Sequence, residues 1–351
     1  MAHVRIALDA FGGDDCPGPE IRGALTAARA GSAHVVLVGD ASKLEAALSA
    51  EDPNWASLPL SLHHAPDVIT MDDSPGKAVR AKHEASMPVC FDLVKNGEAD
   101  AVMSAGNSGA MLACGLFKYR RIKGVDRPAL VTSVPRRKGG FTTFLDVGAN
   151  VECKPINLVQ FAALGAVYST FKHGIAKPTV GLLSNGSEEG KGTELTRAVH
   201  GLLQAHPSSG FEYRGYAEGK DIFNSSVDVI VTDGFSGNVA LKVMEATGRT
   251  LGGWIKDATA SGPRTKLGAL LMRPALLKLK TALDPDSYGA APLLGVRGMA
   301  FLCHGAASSH AIARSLEMAA RSVSELAPQL QAAVDEHEQL FEAAKAAEAS
   351  S

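Results

Sequence analysis

Apolar and polar positions alternate along this chain in blocks. A short apolar run is followed by a polar turn, usually with glycine, and then by apolar positions at helical spacing. Val4 to Leu8 predicts a strand that ends in Asp9-Ala10-Phe11-Gly12-Gly13-Asp14-Asp15, with a helix from about Pro17 to Ala30. His34 to Val38 predicts a second strand, with Gly39-Asp40 opening another helix, and Leu58 to His63 a third strand. The polar turn Met71 to Pro75 precedes a long helix, about Gly76 to Asn96. Asp100 to Met103 reads as a strand running into Ser104-Ala105-Gly106-Asn107-Ser108-Gly109 and a small-residue helix. Ala129 to Val134 and Phe141 to Asp146 are apolar strands joined by the basic turn Pro135-Arg136-Arg137-Lys138-Gly139-Gly140. The second ends in Asp146-Val147-Gly148-Ala149-Asn150, and Pro155 opens a helix to about Lys172, as a first-turn proline should. Thr179 to Leu183, Phe211 to Tyr216, Val227 to Thr232 and Met299 to Cys303 predict further strands. The last runs through His304-Gly305-Ala306 into a helix with Ile312, Leu316, Ala319, Val323 and Leu326 on one face. Beyond about Glu336 the chain is charged and alanine-rich, which predicts a fraying tail.

Six of these strands end in a polar turn that opens a helix. The pattern predicts an α/β fold, a mostly parallel sheet with helices on both faces, whose ligands bind at the carboxyl ends of the strands. All six turns are then expected on one edge. One α/β domain over 1–335 is expected, with a helical tip inserted at 258–283 and a tail at 336–351.

The turn richest in chemistry is SNGSEEGKGTEL, Ser184 to Leu195. It lies between an apolar run and a helix start, where backbone N–H groups lack intrahelical partners and the helix dipole favours anions. Gly186, Gly190 and Gly192 permit close approach of the backbone to a ligand. Lys191 brings a positive charge, and Asn185, Ser187 and Thr193 bring neutral polar groups. The stretch reads as a phosphate-handling loop. It is not a nucleoside-triphosphate P-loop: three residues, not four, separate Gly186 from Gly190, and Lys191 is followed by Gly192 instead of Ser or Thr.

Gly262 to Leu283, GPRTKLGALLMRPALLKLKTAL, breaks the alternation. It holds no acidic residue but carries Arg264, Lys266, Arg273, Lys278 and Lys280. Leu267, Leu270 and Leu271 share a helical face before Pro274, and Leu276 and Leu277 follow it. Pro274 predicts a hairpin or a kinked helix. Basic residues beside leucines suit a helix lying in a membrane interface, while a dimerisation helix, ordinary core or an acidic protein partner fits the same pattern.

The 351 residues are 46% hydrophobic and 21% charged, as in ordinary globular proteins, and the net charge of −2 argues against nucleic acid as a partner. Five scattered cysteines without a CxxC pair argue for reduced thiols in a cytoplasmic setting, against a disulfide framework and against a zinc site; no metal ligand set is expected. The run Val4 to Leu8 is too short for a signal peptide, and no apolar run is long enough to span a membrane.

With these turns in place, the chain resembles the bacterial acyl-ACP:phosphate acyltransferases (PlsX family), where ACP is acyl carrier protein. The resemblance rests on LDAFGGD (8–14), MSAGNSGA (103–110), LDVGANVECKPINLVQFA (145–162), GLLSNGSEEGKGTEL (181–195), VDVIVTDGFSGNVALK (227–242) and YGAAPLLGV (288–296). It implies transfer of a long-chain acyl group from acyl-ACP to inorganic phosphate, giving acyl phosphate and ACP. It further implies supply to a glycerol-3-phosphate acyltransferase for phosphatidic acid synthesis, with no cofactor. The implied setting is a cytoplasmic homodimer held peripherally at the membrane by its tip, with a fold resembling phosphotransacetylases and isocitrate dehydrogenases. Phe11, Ser108, Ala290 and Ala306 depart from the family's usual Met, Thr, Gly and Ser. Ala306 lacks a hydroxyl and is given no catalytic role.

Phosphate is largely dianionic at neutral pH, and a thioester is already activated. The site must therefore orient the dianion and stabilise an oxyanion, and needs no Ser-His-Asp triad. Lys191 with the Asn185 to Gly192 backbone is the candidate charge stabiliser. Asn107 and Ser108 are candidate ligands for phosphate or the carbonyl oxygen, and Asn238 is a second oxyanion donor. Asp233 would orient Lys191 or Asn238, and His304 would protonate the leaving thiolate or serve only as a backbone-satisfied strand-end histidine. Asp9, Asp146 and Asn150 read as turn formers. Three rivals remain: a CoA-dependent phosphotransacetylase, a dinucleotide dehydrogenase (disfavoured because no GxGxxG follows the first strand) and a non-catalytic acyl-binding scaffold.

Overall fold

The computed structural model describes residues 4–283 and 289–349. In chain order the elements are β1 (Arg5–Asp9), α1 (Gly18–Arg29), β2 (His34–Gly39), α2 (Ala41–Glu51), β3 (Leu60–His64), α3 (Pro75–Ala81), α4 (Ser86–Lys95), β4 (Ala101–Ser104) and α5 (Ser108–Cys114). Then come β5 (Ala129–Pro135), β6 (Phe141–Leu145), α6 (Pro155–His173), β7 (Thr179–Leu183), α7 (Glu194–Ala205), β8 (Glu212–Ala217), β9 (Val229–Val231) and α8 (Gly234–Ala260). The chain closes with α9 (Pro263–Leu271), α10 (Arg273–Leu283), β10 (Ala291–Leu294), β11 (Met299–Leu302), α11 (Ser309–Glu325), α12 (Ala327–Glu336) and α13 (Glu338–Ala349). Tyr288, which opens the YGAAPLLGV motif, lies outside the described residues.

The strands form one sheet in the order β3-β2-β1-β4-β11-β10-β5-β6-β9-β7-β8. Two parallel blocks flank a middle of antiparallel strands: β10 runs against both β11 and β5, and β5 runs against β6. Three reversals in succession leave the two blocks pointing in opposite directions. The turns after β1, β4 and β11 therefore open on one edge, and those after β6, β7 and β9 on the other. This corrects the expectation of a single shared edge. The cause is visible in Arg136 to Gly140: so short a connection joins only antiparallel neighbours.

Two apolar cores lie on the two faces of the sheet. Helix α6 occupies one face with a proline at its first turn and every residue from Ile156 to Ala166 buried. The long helix expected over 76–96 is two helices. The chain breaks at Lys82, whose Nζ reaches Asp73 at 2.8 Å and the Val68 carbonyl at 3.0 Å, and Ala85 bridges to Asp67. Pro88 then sits in the first turn of α4, where its missing N–H costs little. The tail expected to fray after Glu336 is instead helical. α13 buries Leu340, Phe341 and Ala344, and His337 before it stacks on Phe211.

Helix α8 gives little of its surface to the core. Of its 27 residues only Gly234 and Gly237 are buried, and Phe235, Val239 and Val243 leave an exposed strip at helical spacing. It leads to α9 and α10, separated at Met272 with Pro274 near the start of the second, as the proline predicts. Leu267, Leu270, Leu271 and Leu277 are exposed, Leu271 at 77%, and Leu276 is half-buried. No helix among the described residues is long and apolar enough to cross a membrane.

Candidate active site

On the edge where β1, β4 and β11 end, buried polar groups organise the turns. The Asp9 carboxylate accepts hydrogen bonds from Ser104 Oγ at 2.6 Å and from the Phe11 amide at 3.3 Å. Ser104 Oγ in turn accepts from the Gly106 amide at 2.9 Å. Asn107 caps α5: its Oδ1 accepts from the Ala110 amide at 3.1 Å. Its Nδ2 faces the carbonyls of Thr70, Met71 and Asp73 at 3.2–3.4 Å. Asn107 is thus buried and engaged in tying the Met71 loop to α5. Its neighbour Ser108 is exposed.

The opposite edge is organised by Asp146. Its Oδ1 accepts from the amides of Leu130, Gly148 and Ala149 at 3.0–3.2 Å, and its Oδ2 from Asn150 N and Nδ2 at 2.7 and 2.8 Å. Asn150 Nδ2 also meets the Pro128 carbonyl at 2.7 Å. Asp9, Asp146 and Asn150 thus form turns. Helix α8 starts hard against the Asp146 turn. A Cβ on Gly234 would lie 2.6 Å from the Asn150 carbonyl oxygen, and one on Gly237 would overlap the Asp146 carbonyl oxygen. Only glycine admits that approach. Asp233 caps α8, accepting from the Ser236 amide at 2.8 Å and Ser236 Oγ at 2.9 Å. Its carboxylate is engaged in this cap, not in orienting Lys191 or Asn238 as expected.

The glycine-rich loop after β7 stands on the same edge as Asp233, because β7 pairs with β9 in the register Leu182↔Val231. Thr193 caps α7, accepting from the Thr196 amide at 3.2 Å, and Asn185 Oδ1 accepts from the Gly192 amide at 2.9 Å. Lys191, Asn185, Ser187 and Gly190 are exposed, Gly186 is buried and Gly192 half-buried.

A cavity of about 890 Å³ crosses the antiparallel middle of the sheet and joins the two edges. Its bed includes Leu130, Val134, Leu241, Met244 and Leu302, and its polar wall Ser108, Asn238, Lys242, Glu245 and His304. Leu279 of α10 and Gly289 also line it. Helix α8 carries Asn238 beside Gly148 and then crosses to the first edge, where Glu245 meets His304. The structure thus brings together Ser108, Asn238 and His304 of the predicted residues. It does not bring Lys191 or the rest of its loop, residues 185–192, into the cavity wall.

His304 is held on both sides of its ring. Nδ1 accepts from the Ala306 amide at 3.2 Å, and Nε2 lies 3.8 Å from Glu245 Oε2. The backbone of Ala306 makes this contact, so the missing hydroxyl takes nothing from it. The Glu245 carboxylate pushes the His304 pKa up against burial and the repulsion of Arg249 and Lys242, and His304, helped by Lys242 and Arg249, holds that of Glu245 down against burial. Ala290, where glycine is usual, is buried, and its amide meets Ser315 Oγ at 2.9 Å without strain. Glu245 and Lys242 were missed in the sequence. The signal was there: counted from Asn238, positions 242 and 245 recur on one helical face.

Comparison with known proteins agrees with this architecture. Residues 4–329 match the family model for fatty acid synthesis proteins. The phosphate acyltransferase of Geobacter sulfurreducens is 47% identical over 316 residues, 90% of each chain. That of Syntrophotalea carbinolica is 47% identical over 92% of this chain and 91% of its own. Among solved structures, a phosphotransacetylase from Streptococcus pyogenes superposes with a TM-score of 0.62 at 14% identity, covering 92% of this chain and 94% of its own. The EutD phosphotransacetylase from Staphylococcus aureus gives 0.55 at 15% identity over the same shares. At such identities these two speak to the fold alone. With the family model and the close relatives in agreement over nine-tenths of its length, this chain belongs to the phosphate acyltransferase family and is an acyltransferase.

Proposed function

We propose that this acyltransferase moves a long-chain acyl group from the thioester of acyl carrier protein to inorganic phosphate, releasing acyl phosphate and free carrier. The observation that carries this reading is the cavity, in which one apolar bed runs from the polar wall of Ser108, Asn238 and His304 to Leu279 on the leucine-rich tip. An acyl chain suits the bed, and the polar wall suits a thioester and a dianion. Asn238 and Glu245 are seven residues apart, about 10 Å along a helix. The polar groups therefore stand in a line, as an extended thioester arm requires.

In this reading phosphate attacks the thioester carbonyl, and donors placed where negative charge develops stabilise the tetrahedral oxyanion. Ser108 and Asn238 are those donors, and His304 returns a proton to the departing sulfur. Lys191 adds positive charge from the loop on the Asn238 side of the sheet. A second copy of the chain covers the exposed strip of Phe235, Val239 and Val243, making the homodimer. The leucines of α9 and α10, flanked by Arg264, Lys266, Arg273 and Lys278, rest on the membrane surface. The acyl phosphate then leaves beside the lipid phase for a glycerol-3-phosphate acyltransferase that makes phosphatidic acid.

The test is a discharge assay with palmitoyl-ACP, with and without inorganic phosphate, following free carrier and palmitoyl phosphate. Phosphate-dependent release with palmitoyl phosphate as product is expected. Faster turnover of acetyl-CoA than of palmitoyl-ACP would reassign the chain to short-chain phosphotransacetylase chemistry. Absence of release from folded protein would leave acyl binding without catalysis.

A further inference from the structure

Glu245 belongs to no motif read from the sequence, yet it is the anionic group closest to the one imidazole in the cavity. Its side chain is 14% exposed, on the wall of α8, and His304 faces it at 41%. The separation of 3.8 Å between Oε2 and Nε2 is an ion-pair distance, longer than a hydrogen bond, so the carboxylate does not consume the Nε2 hydrogen. On the far side of the ring the Ala306 amide donates to Nδ1, which fixes the neutral imidazole as the Nε2–H tautomer. Nε2, on the side of Glu245 and the cavity wall, therefore carries a hydrogen in both charge states, while charging the ring adds a hydrogen at Nδ1 and gives up the Ala306 contact.

We propose that Glu245 is a positioning residue for proton delivery: its carboxylate holds the His304 ring with Nε2 toward the cavity and keeps it charged until the thioester sulfur leaves. The inference rests on the acyl-transfer reading above and assigns a part within it. The step balances simply. A phosphate oxygen forms the new bond to the carbonyl carbon, the carbon–sulfur bond breaks, and sulfur takes the bond pair and the Nε2 proton to become a thiol. Loss of that proton leaves His304 as the neutral Nδ1–H tautomer, and Nε2 then recovers a proton from solvent.

Charged groups face His304 from each element around it. Glu245 favours the imidazolium, while Lys242 and Arg249 on the same helix oppose it. Asp14, in the turn after β1, lies against Gly305. The nearby Glu245 carboxylate is what raises His304, so removing its charge removes the main support for the imidazolium.

The test uses Glu245→Gln, which preserves shape, and Glu245→Asp, which preserves charge at shorter reach. Three readouts are taken: the His304 titration followed by NMR in the free protein, the pH profile of kcat/KM, and the dependence of rate on the leaving thiol. The expectation for Glu245→Gln is a His304 titration moved to lower pH, with the alkaline limb of kcat/KM moving by the same amount. Turnover of an alkyl thioester at pH 8 should fall roughly tenfold, within the range that proton transfer contributes. With an aryl thioester, whose thiol leaves readily as an anion, the loss should shrink to about twofold. Glu245→Asp should recover part of the alkyl-thioester rate. A His304 titration unmoved by Glu245→Gln would overturn the pairing. A moved titration with an equal rate loss for both thioesters would assign Glu245 to structure and overturn the role in proton delivery. If the unaltered protein shows no phosphate-dependent turnover, the acyl-transfer reading and this role fall together, and the NMR arm still decides whether the pair exists.

Discussion

The two edges of the sheet carry turns of similar composition, but they are built to different degrees by the single chain. On the edge of β1, β4 and β11, Asp9, Ser104 and Asn107 are buried and hydrogen-bonded across several segments, and His304 is held between Glu245 and the Ala306 amide. On the opposite edge the Asp146 turn is equally well satisfied, but the glycine-rich loop beside it leaves Lys191, Asn185 and Ser187 in solvent. A polar group locked by buried partners is positioned before substrate arrives. An exposed lysine on a loop acquires its geometry on contact with ligand or with a second copy. Glycine, asparagine and serine mark both kinds of turn, so composition alone does not tell a finished site from one that a ligand completes.

The largest effect is expected where the second edge is tightest. Gly237→Ala places a methyl on the Asp146 carbonyl oxygen, so α8 must shift away from the β6 turn or the turn must open. A loss of about 3 kcal/mol or more in urea denaturation is expected, the scale of a backbone overlap in a packed region. Wild-type stability in that variant would mean that α8 is not anchored here, and the line of groups from Asn238 to Glu245 would lose its frame. Next comes the exposed loop. Lys191→Ala should lower phosphate-dependent turnover tenfold or more while the thermal midpoint stays unchanged, because the side chain is solvated in the free chain. Unchanged turnover would remove Lys191 from the reaction and leave the first edge to act with Asn238 alone. Third is the tip: Leu267→Glu with Leu271→Glu should reduce co-sedimentation with anionic vesicles about tenfold and leave discharge of a carrier-bound donor in solution within about twofold, since apolar area sets interfacial binding. Equal vesicle binding by the double variant would take membrane contact away from α9.

Much of this was legible in the residues. The alternation of strands and helices, the Pro155 start of α6 and the break near Pro274 all follow from local rules, since periodicity and proline act over a few residues. The direction of the second block was not read, although the short Arg136 to Gly140 turn contains the necessary reversal. It takes three antiparallel steps, two of them through β10 far along the chain, to turn β6, β9, β7 and β8 around. The split between α3 and α4 depends on Lys82 reaching Asp73 and Val68, a contact that periodicity does not encode. The docking of α13 depends likewise on partners distant in sequence. Ser108, Asn238 and His304, which line one cavity, were singled out in the sequence because each lies at a strand end or in the first turns of a helix. Glu245 was missed because it sits in mid-helix, and its meaning comes only from what α8 crosses. Asn107 was misassigned for the converse reason: its motif marks a turn, and the turn itself engages its amide.

The difference between two asparagines tests the contrast most directly, because it compares one residue type on the two edges. Asn107→Ala removes the α5 cap and leaves three loop carbonyls without their shared donor in a buried setting. A cost of about 2 kcal/mol is expected, a cap plus a buried hydrogen-bond loss. Asn185→Ala removes exposed contacts to the Gly192 amide and Ser184 Oγ, which water replaces, and should cost about 0.5 kcal/mol or less. Kinetics should invert the order. Asn185→Ala is expected to raise the phosphate KM about threefold through a loop left less defined at a ligand-facing position, whereas Asn107→Ala, assayed below its melting transition, should change it less. Urea midpoints and phosphate saturation curves on the two variants decide the matter. Equal stability losses would mean that the loop after β7 is as firmly built as the turn after β4. An unchanged phosphate KM in Asn185→Ala would mean that its solvent-facing groups do not meet phosphate, and that the anion is held wholly within the cavity between Ser108 and Asn238.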